Sequence, residues 1–186
     1  MSRDVEKIIS WIEAIALSDS QTAFKSLYMA YYKRLMRFTG LYVPSPAEAE
    51  EVVSDVFLSI WNSRKQLPGI PNFDSYIYSI ARNRAISHYR LQHMETVELK
   101  EREVDLFFRT DTTPEDELIA KEDIDRLNAA INSLPDKCRT VFKLVREDKL
   151  KYREVATILD ISVKTVEAHL AIAVRKLIEA LSPDIG

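Results

Sequence analysis

Tyr152–Leu177, YREVATILDISVKTVEAHLAIAVRKL, is the segment around which the chain is organised. On a helical wheel at about 100° per residue centred on Val166, the residues Leu170, Ala173 and Leu177 fall within about 40°, forming one apolar stripe. The opposite side carries Lys164, Ala168, Ala171 and Arg175. Upstream, Val155, Ile158 and Leu159 recur at helical spacing, and Asp160 and Ser162 break the pattern where a turn and an N-cap are needed. The spacing therefore predicts two helices joined by a connection of about four residues, with Ser162 capping the second.

Most antiparallel helix pairs with short connections are ordinary bundle elements. This pair has a further property: up to Leu177 the second helix has one acid, Glu167, against Lys164, His169, Arg175 and Lys176. Its outward side is small and polar, which lets a helix sink close to base edges in the major groove. The pair reads as a helix-turn-helix that contacts duplex DNA.

Working outward, the chain has 186 residues, of which 46% are hydrophobic and 30% charged, the composition of a folded globular protein. The start, MSRDVEKIIS, has neither a basic n-region nor an apolar h-region, and no run approaches the roughly 18 apolar residues of a membrane span. The expected place is the cytoplasm. Cys138 is the single cysteine, so no intrachain disulfide can form.

The net charge of −3 hides an uneven distribution. Of the 29 acids and 26 bases, twelve acids and five bases fall between Glu95 and Arg126, which leaves 17 acids against 21 bases elsewhere. Between Val56 and Met94 the only acid is Asp74, while Arg64, Lys65, Arg82, Arg84 and Arg90 are basic. A second cationic surface follows, distant in sequence from the helix-turn-helix.

The first third reads as helices, with Val5, Ile8, Ile9, Ile12 and Ile15, then Phe24, Leu27, Tyr28, Tyr31, Leu35 and Phe38, recurring at three and four until Gly40. Ser45 is an N-cap, Pro46 the first helical residue and Glu48 the closing member of a capping box. The helix that follows, to Trp61, puts Val53, Phe57, Ile60 and Trp61 on one stripe beside Glu50, Glu51 and Asp55. On pattern alone it is a core helix with a solvated acidic flank. Asn62–Asn72, NSRKQLPGIPN, holds two prolines and a glycine and reads as a loop.

Phe73–Arg90, FDSYIYSIARNRAISHYR, resumes helical spacing with aromatics and arginines interleaved. Two readings fit it equally: aromatic core packing beside a solvated basic face, or a single-strand surface on which exposed bases stack while arginines neutralise the backbone. From Glu95 to Thr113 periodicity fades and acids accumulate, so a flexible acidic linker and a domain boundary are placed there, with Thr113 capping the next helix. Asp116–Ser133 and a helix opened by Pro135 complete the C-terminal part. No strand pattern of length occurs. The expected fold class is all-α, two small helical domains joined by that linker.

Three glycines leave nothing for a phosphate-cradling loop, and His88, His93 and His169 form no paired metal motif. No metal site, cofactor or catalytic residue is expected, and the chain reads as a non-enzyme.

The order of these segments resembles a small two-domain bacterial RNA polymerase sigma factor of the sigma-70 family, extracytoplasmic-function (ECF) group, over roughly Gln21–Leu181. AEEVVSDVFLSIW resembles the family's polymerase-clamp-binding helix, although Ser54 and Asp55 stand where glutamine and glutamate are usual. FDSYIYSIARNRAISHYR resembles its −10 recognition helix, with Tyr76 replacing a common tryptophan. LPDKCRTVFKL with YREVATILDISVKTVEAHL resembles the −35 reader. The resemblance implies sigma region 2 at residues 1–94, a linker at 95–113 and sigma region 4 at 114–186. It also implies −10 contacts from Asn62, Ser63, Arg64, Lys65, Tyr76, Arg82, Asn83, Arg84 and Arg90, the first four in a loop that captures a base flipped from the non-template strand.

Ser162, Lys164, Thr165, Glu167, Ala168, His169 and Arg175 would serve the −35 element, and Glu51, Asp55, Leu58 and Trp61 the polymerase. The implied partners are core RNA polymerase, through its clamp helices and flap, promoter DNA, and an anti-sigma factor, often membrane-tethered, without membrane insertion of this chain. SVKTVEAHLAIAVRKL also resembles the output helix of a LuxR-type regulator. That alternative calls for an α/β receiver, which the N-terminal half does not suggest.

Overall fold

A computed structural model describes residues 3–92 and 117–182, with side chains from Val5 and, in the C-terminal part, from Ile124. The acidic linker, Thr113 and Asp116 lie outside the described residues. The chain divides into two compact units, with the division between Leu99 and Lys100.

The first unit contains α1 (Arg3–Ser18), α2 (Gln21–Thr39), α3 (Pro46–Asn62), a 3-10 helix (Arg64–Gly69) and α4 (Phe73–Gln92). Helix α2 packs against α1, α3 and α4, because it buries Leu27, Tyr31, Leu35, Met36 and Phe38 around much of its girth. Helix α3 packs on α4 through Ala49, Val52, Val53, Val56, Phe57 and Ile60, a stripe wider than the sequence pattern suggests. Each large apolar side chain removed from water in this way contributes about 1.5–3 kcal/mol.

Local chemistry sets the boundaries. Ser45 Oγ accepts from Glu48 N at 3.2 Å, so Ser45 caps α3 as expected. The capping box closes differently from expectation, since Ser45 donates its hydroxyl to Glu48 Oε1 at 3.2 Å and the carboxylate does not take the backbone N–H. Asn72 Oδ1 accepts from Ser75 N at 2.7 Å and starts α4. The loop expected over Asn62–Asn72 is corrected: Arg64–Gly69 is a 3-10 helix, with Gln66 N donating to Ser63 O and Ile70 N to Leu67 O. Pro68 is tolerated in so short a run because few N–H groups are needed, and Leu67 is buried as its anchor.

A polar contact crosses this core. Tyr31, fully buried, donates its hydroxyl to Asp74 Oδ1 at 2.8 Å, joining the middle of α2 to the first turn of α4. The Arg34 guanidinium lies 3.7 Å from the same carboxylate and over the rings of Tyr31 and Tyr78. Burial, then the Asp74 carboxylate, pushes the Tyr31 phenol far above its usual range, so it remains a donor at any physiological pH.

The second unit contains α5 (Glu117–Asn132), α6 (Asp136–Arg146), α7 (Tyr152–Leu159) and α8 (Val163–Leu181). Helix α8 runs one turn beyond Leu177 and packs against α5, α6 and α7 through Val166, Leu170, Ala173 and Leu177, the stripe read from the sequence. Arg139 is buried where apolar spacing gave no hint of it. It donates to Asn132 O at 2.6 Å and pairs with Asp136, tying the end of α5 to the start of α6.

Both tryptophans, Trp11 and Trp61, are in the first unit, so their fluorescence isolates its unfolding from that of the second. Tyr31→Phe should lower the first unit's stability by about 1–2 kcal/mol in urea titration, because Asp74 loses a buried donor. An unchanged tryptophan midpoint would show that the Tyr31–Asp74 contact contributes nothing.

Candidate nucleic-acid interface

In the second unit the turn between α7 and α8 is three residues. Asp160 ends α7 in the left-handed conformation at φ 55°, ψ 49°, which aspartate tolerates better than most residues. Ile161 N then donates to Ala156 O at 3.0 Å. Ser162 Oγ accepts from Thr165 N at 3.0 Å and pairs with the Thr165 hydroxyl at 2.8 Å, so both side chains are committed to the start of α8.

With the Val166 stripe buried, Lys164, Glu167, Ala168, Ala171 and Arg175 are exposed. His169 is not part of that free surface. Its Nδ1 lies 3.5 Å from Cys138 Sγ on α6, and the ring is half-buried. A shallow, largely apolar groove runs along α8, lined by Tyr152, Leu170, Val174 and Ile178 together with Glu167 and Arg175.

In the first unit, Asn83, Arg84 and Arg90 are exposed on α4, Arg82 and Tyr76 are half-buried, and Tyr78 is in the core. The structure therefore divides the aromatics: Phe73 and Tyr78 pack inside, and Tyr76 packs beside Phe73 with ring centroids 6.3 Å apart. Arg84 reaches across to α3, where its Nη2 donates to Ser59 Oγ at 2.9 Å and its Nη1 lies 4.0 Å from Asp55 Oδ2. A residue expected at the −10 element and one expected at the polymerase thus meet.

Arg64 and Lys65 are both paired with Asp19, at 2.6 and 3.1 Å. First Arg64 and then Lys65 hold the Asp19 carboxyl below its ordinary range. Asn62 is exposed, and Ser63 donates its hydroxyl to Ser59 O at 2.8 Å.

Glu51, Asp55 and Leu58 recur at four and three and share the outward side of α3, where Leu58 is 58% exposed. Trp61 is half-buried instead, packed edge-on to Phe24 at 5.0 Å and covered by the Arg64 guanidinium at 4.7 Å. Tyr28 and Tyr32 stack at 5.1 Å, and burial followed by the Glu50 carboxylate pushes both phenols upward. That aromatic pair and Asp19 went unremarked in the sequence. The i, i+4 spacing of the tyrosines was available as a signal, whereas nothing local marks Asp19.

Residues 27–93 match the family described as Sigma-70 region 2, and residues 124–183 match Sigma-70, region 4. The ECF RNA polymerase sigma-E factor of Escherichia coli (strain K12) is 26% identical over 166 residues, covering 86% of this chain and 86% of that protein. The ECF RNA polymerase sigma factor RpoE of Cereibacter sphaeroides is 24% identical over 177 residues, 94% of each. Among solved structures the fold is similar to CnrH in complex with the cytosolic domain of CnrY, with TM-score 0.61, 22% identity and coverage of 95% of this chain and 99% of that one. It is also similar to the sigma factor RpoE in complex with the anti-sigma factor NepR from Bartonella quintana, with TM-score 0.60, 20% identity and coverage of 87% and 98%.

The Cys138–His169 contact has a chemical signature. Burial pushes the thiol upward, with Lys176 offsetting part of the effect, and the side chain is 3% exposed. A thiol reagent at pH 7 should therefore react slowly with the folded chain and at the ordinary rate in urea, and the folded rate should rise with pH only above the usual thiol range. Equal rates in the two states would contradict this packing.

Proposed function

This chain belongs to the sigma-70 family, in its extracytoplasmic-function group, and on that premise we propose how its two units divide promoter recognition between them. As a transcription initiation factor it directs RNA polymerase to promoters. We assign −35 reading to the second unit and −10 recognition to the first. The observation that carries the assignment is the one-sided burial of α8, which leaves Lys164, Glu167 and Ala168 exposed immediately after a capped, three-residue turn. A helix-turn-helix enters the major groove with these first turns leading.

Glu167 is the informative member. A carboxylate is repelled by phosphates, so its place on a reading helix is explained by accepting from a cytosine N4 amine or by orienting a neighbouring side chain. Thr165 supports the cap, and His169 contributes through its packing on Cys138. In the first unit, Arg82, Asn83 and Arg90 supply the −10 side of α4, with Arg84 joining them on release from Ser59. Glu51, Asp55 and Leu58 form the polymerase-facing strip of α3, extended by the Tyr28–Tyr32 pair, while Trp61 supports that strip from beneath.

The protein acts in the cytoplasm, where polymerase and promoters are. Since CnrH and RpoE are known in complex with CnrY and the anti-sigma factor NepR, an anti-sigma factor is proposed as the inhibitor here. The LuxR-type alternative has no support, because residues 27–93 match sigma-70 region 2 where a receiver would be needed.

The test is transcription from a library of duplex fragments randomised upstream of the start, using purified core polymerase and this chain without another sigma factor. Wild-type protein should enrich two upstream elements. Glu167→Ala should relax selection at one base pair of the distal element, by about tenfold, while leaving total transcription near wild type. Unchanged selectivity sinks the Glu167 role, and absence of any transcript sinks the assignment itself.

A further inference from the structure

Helix α1 has no basic residue in its own last turn, so its terminal carbonyls, which carry partial negative charge, lack a local cation. One cation, Lys65, reaches such a carbonyl from 49 residues away in sequence, and a second, Arg64, reaches the Asp19 carboxylate just past the helix end from 45 residues away. Lys65 Nζ donates to Ala16 O at 2.8 Å and lies 3.1 Å from Asp19 Oδ1. Arg64 Nε donates to that same oxygen at 2.6 Å, while its Nη1 donates to Trp61 O at 2.9 Å and its plane covers the Trp61 ring.

Asp19 holds a left-handed backbone at φ 51°, which aims its carboxylate back at both cations from the α1–α2 junction. The 3-10 helix begins at these two clamped residues and is anchored in the core by Leu67. Its shape is thus fixed by α1 at one end and by the core at its middle.

We propose that Asp19 is a positioning residue for promoter opening: by binding Arg64 and Lys65 it holds the 62–70 segment in the shape that receives an unstacked −10 base. This rests on the assignment of −10 recognition to the first unit. A segment ordered before the base arrives loses little chain freedom on capture, so more of the contact free energy goes to offsetting the cost of unstacking. Arg64, with its Nε, its Nη1 and one side of its guanidinium plane engaged, acts on DNA through the segment it shapes.

Asp19→Asn removes the charge while keeping a residue that accepts the left-handed backbone, and Asp19→Glu keeps the charge. In the full-length chain, amide exchange at Gln66 and Ile70, which close the 3-10 turns, should be about three- to fivefold faster in Asp19→Asn, the range of an exposed ion pair, and near wild type in Asp19→Glu. In reconstituted holoenzyme, permanganate reactivity of the −10 thymines on a duplex selected by the wild-type protein should fall by a similar factor in Asp19→Asn. Asp19→Glu should recover most of it, and affinity for core polymerase should be equal for all three. Unchanged exchange, or opening by Asp19→Asn equal to wild type, overturns the proposal. Failure of the wild-type holoenzyme to open any duplex is a different result, which overturns the −10 assignment on which the proposal rests.

Discussion

A helix that buries one stripe must present the other, and this constraint positions the candidate contact residues in both units. In α8 the buried line Val166, Leu170, Ala173, Leu177 is what α5, α6 and α7 pack upon, and it determines that Lys164, Glu167 and Ala168 face away from the unit. In α3 the buried line through Val53, Phe57 and Ile60 does the same for Glu51, Asp55 and Leu58. The contact surfaces of α8 and α3 are therefore by-products of the cores they pack on. Moving Glu167 back by one position, to that of Val166, or Leu58 to that of Phe57, would send it into the packing.

What was legible in the sequence follows from the range over which its signals act. Caps and turns are encoded within four residues, and Ser45, Asp160 and Ser162 stand where composition put them. The buried stripe of α8 is equally local. By contrast, Asp19 meets Arg64 across 45 residues, and His169 meets Cys138 across 31. Such pairs depend on where the chain returns in space, which periodicity does not record. Arg139 is a third case: a charge at a buried position is hidden by its own polarity until its partners, Asn132 O and Asp136, are seen. The 3-10 helix at Arg64–Gly69 was missed because Pro68 excludes an α-helix but not a short tighter one.

The same long-range pairs explain why a basic sequence run is not the same as a free cationic surface. Between Val56 and Met94 the bases outnumber the single acid, yet Arg64 and Lys65 share the carboxylate of Asp19, and Arg84 is turned toward Ser59 and Asp55. A subunit delivered to DNA by a polymerase does not need strong attraction of its own, and non-specific affinity grows with each phosphate neutralised. Contacts already occupied within the unit limit that affinity until the promoter is presented in place. On this account, recognition is split between a surface that reads duplex DNA and one that Asp19 holds in shape before the duplex opens.

The measurement that bears most directly on this division is a map of transcript starts after overexpression of the chain in a bacterial host. The account predicts a new set of starts, each preceded by two sequence elements at constant separation, the distal one altered by substitutions in the first turns of α8 and the proximal one by substitutions in α4. A single upstream element, or two elements that both respond to α8 alone, would contradict it.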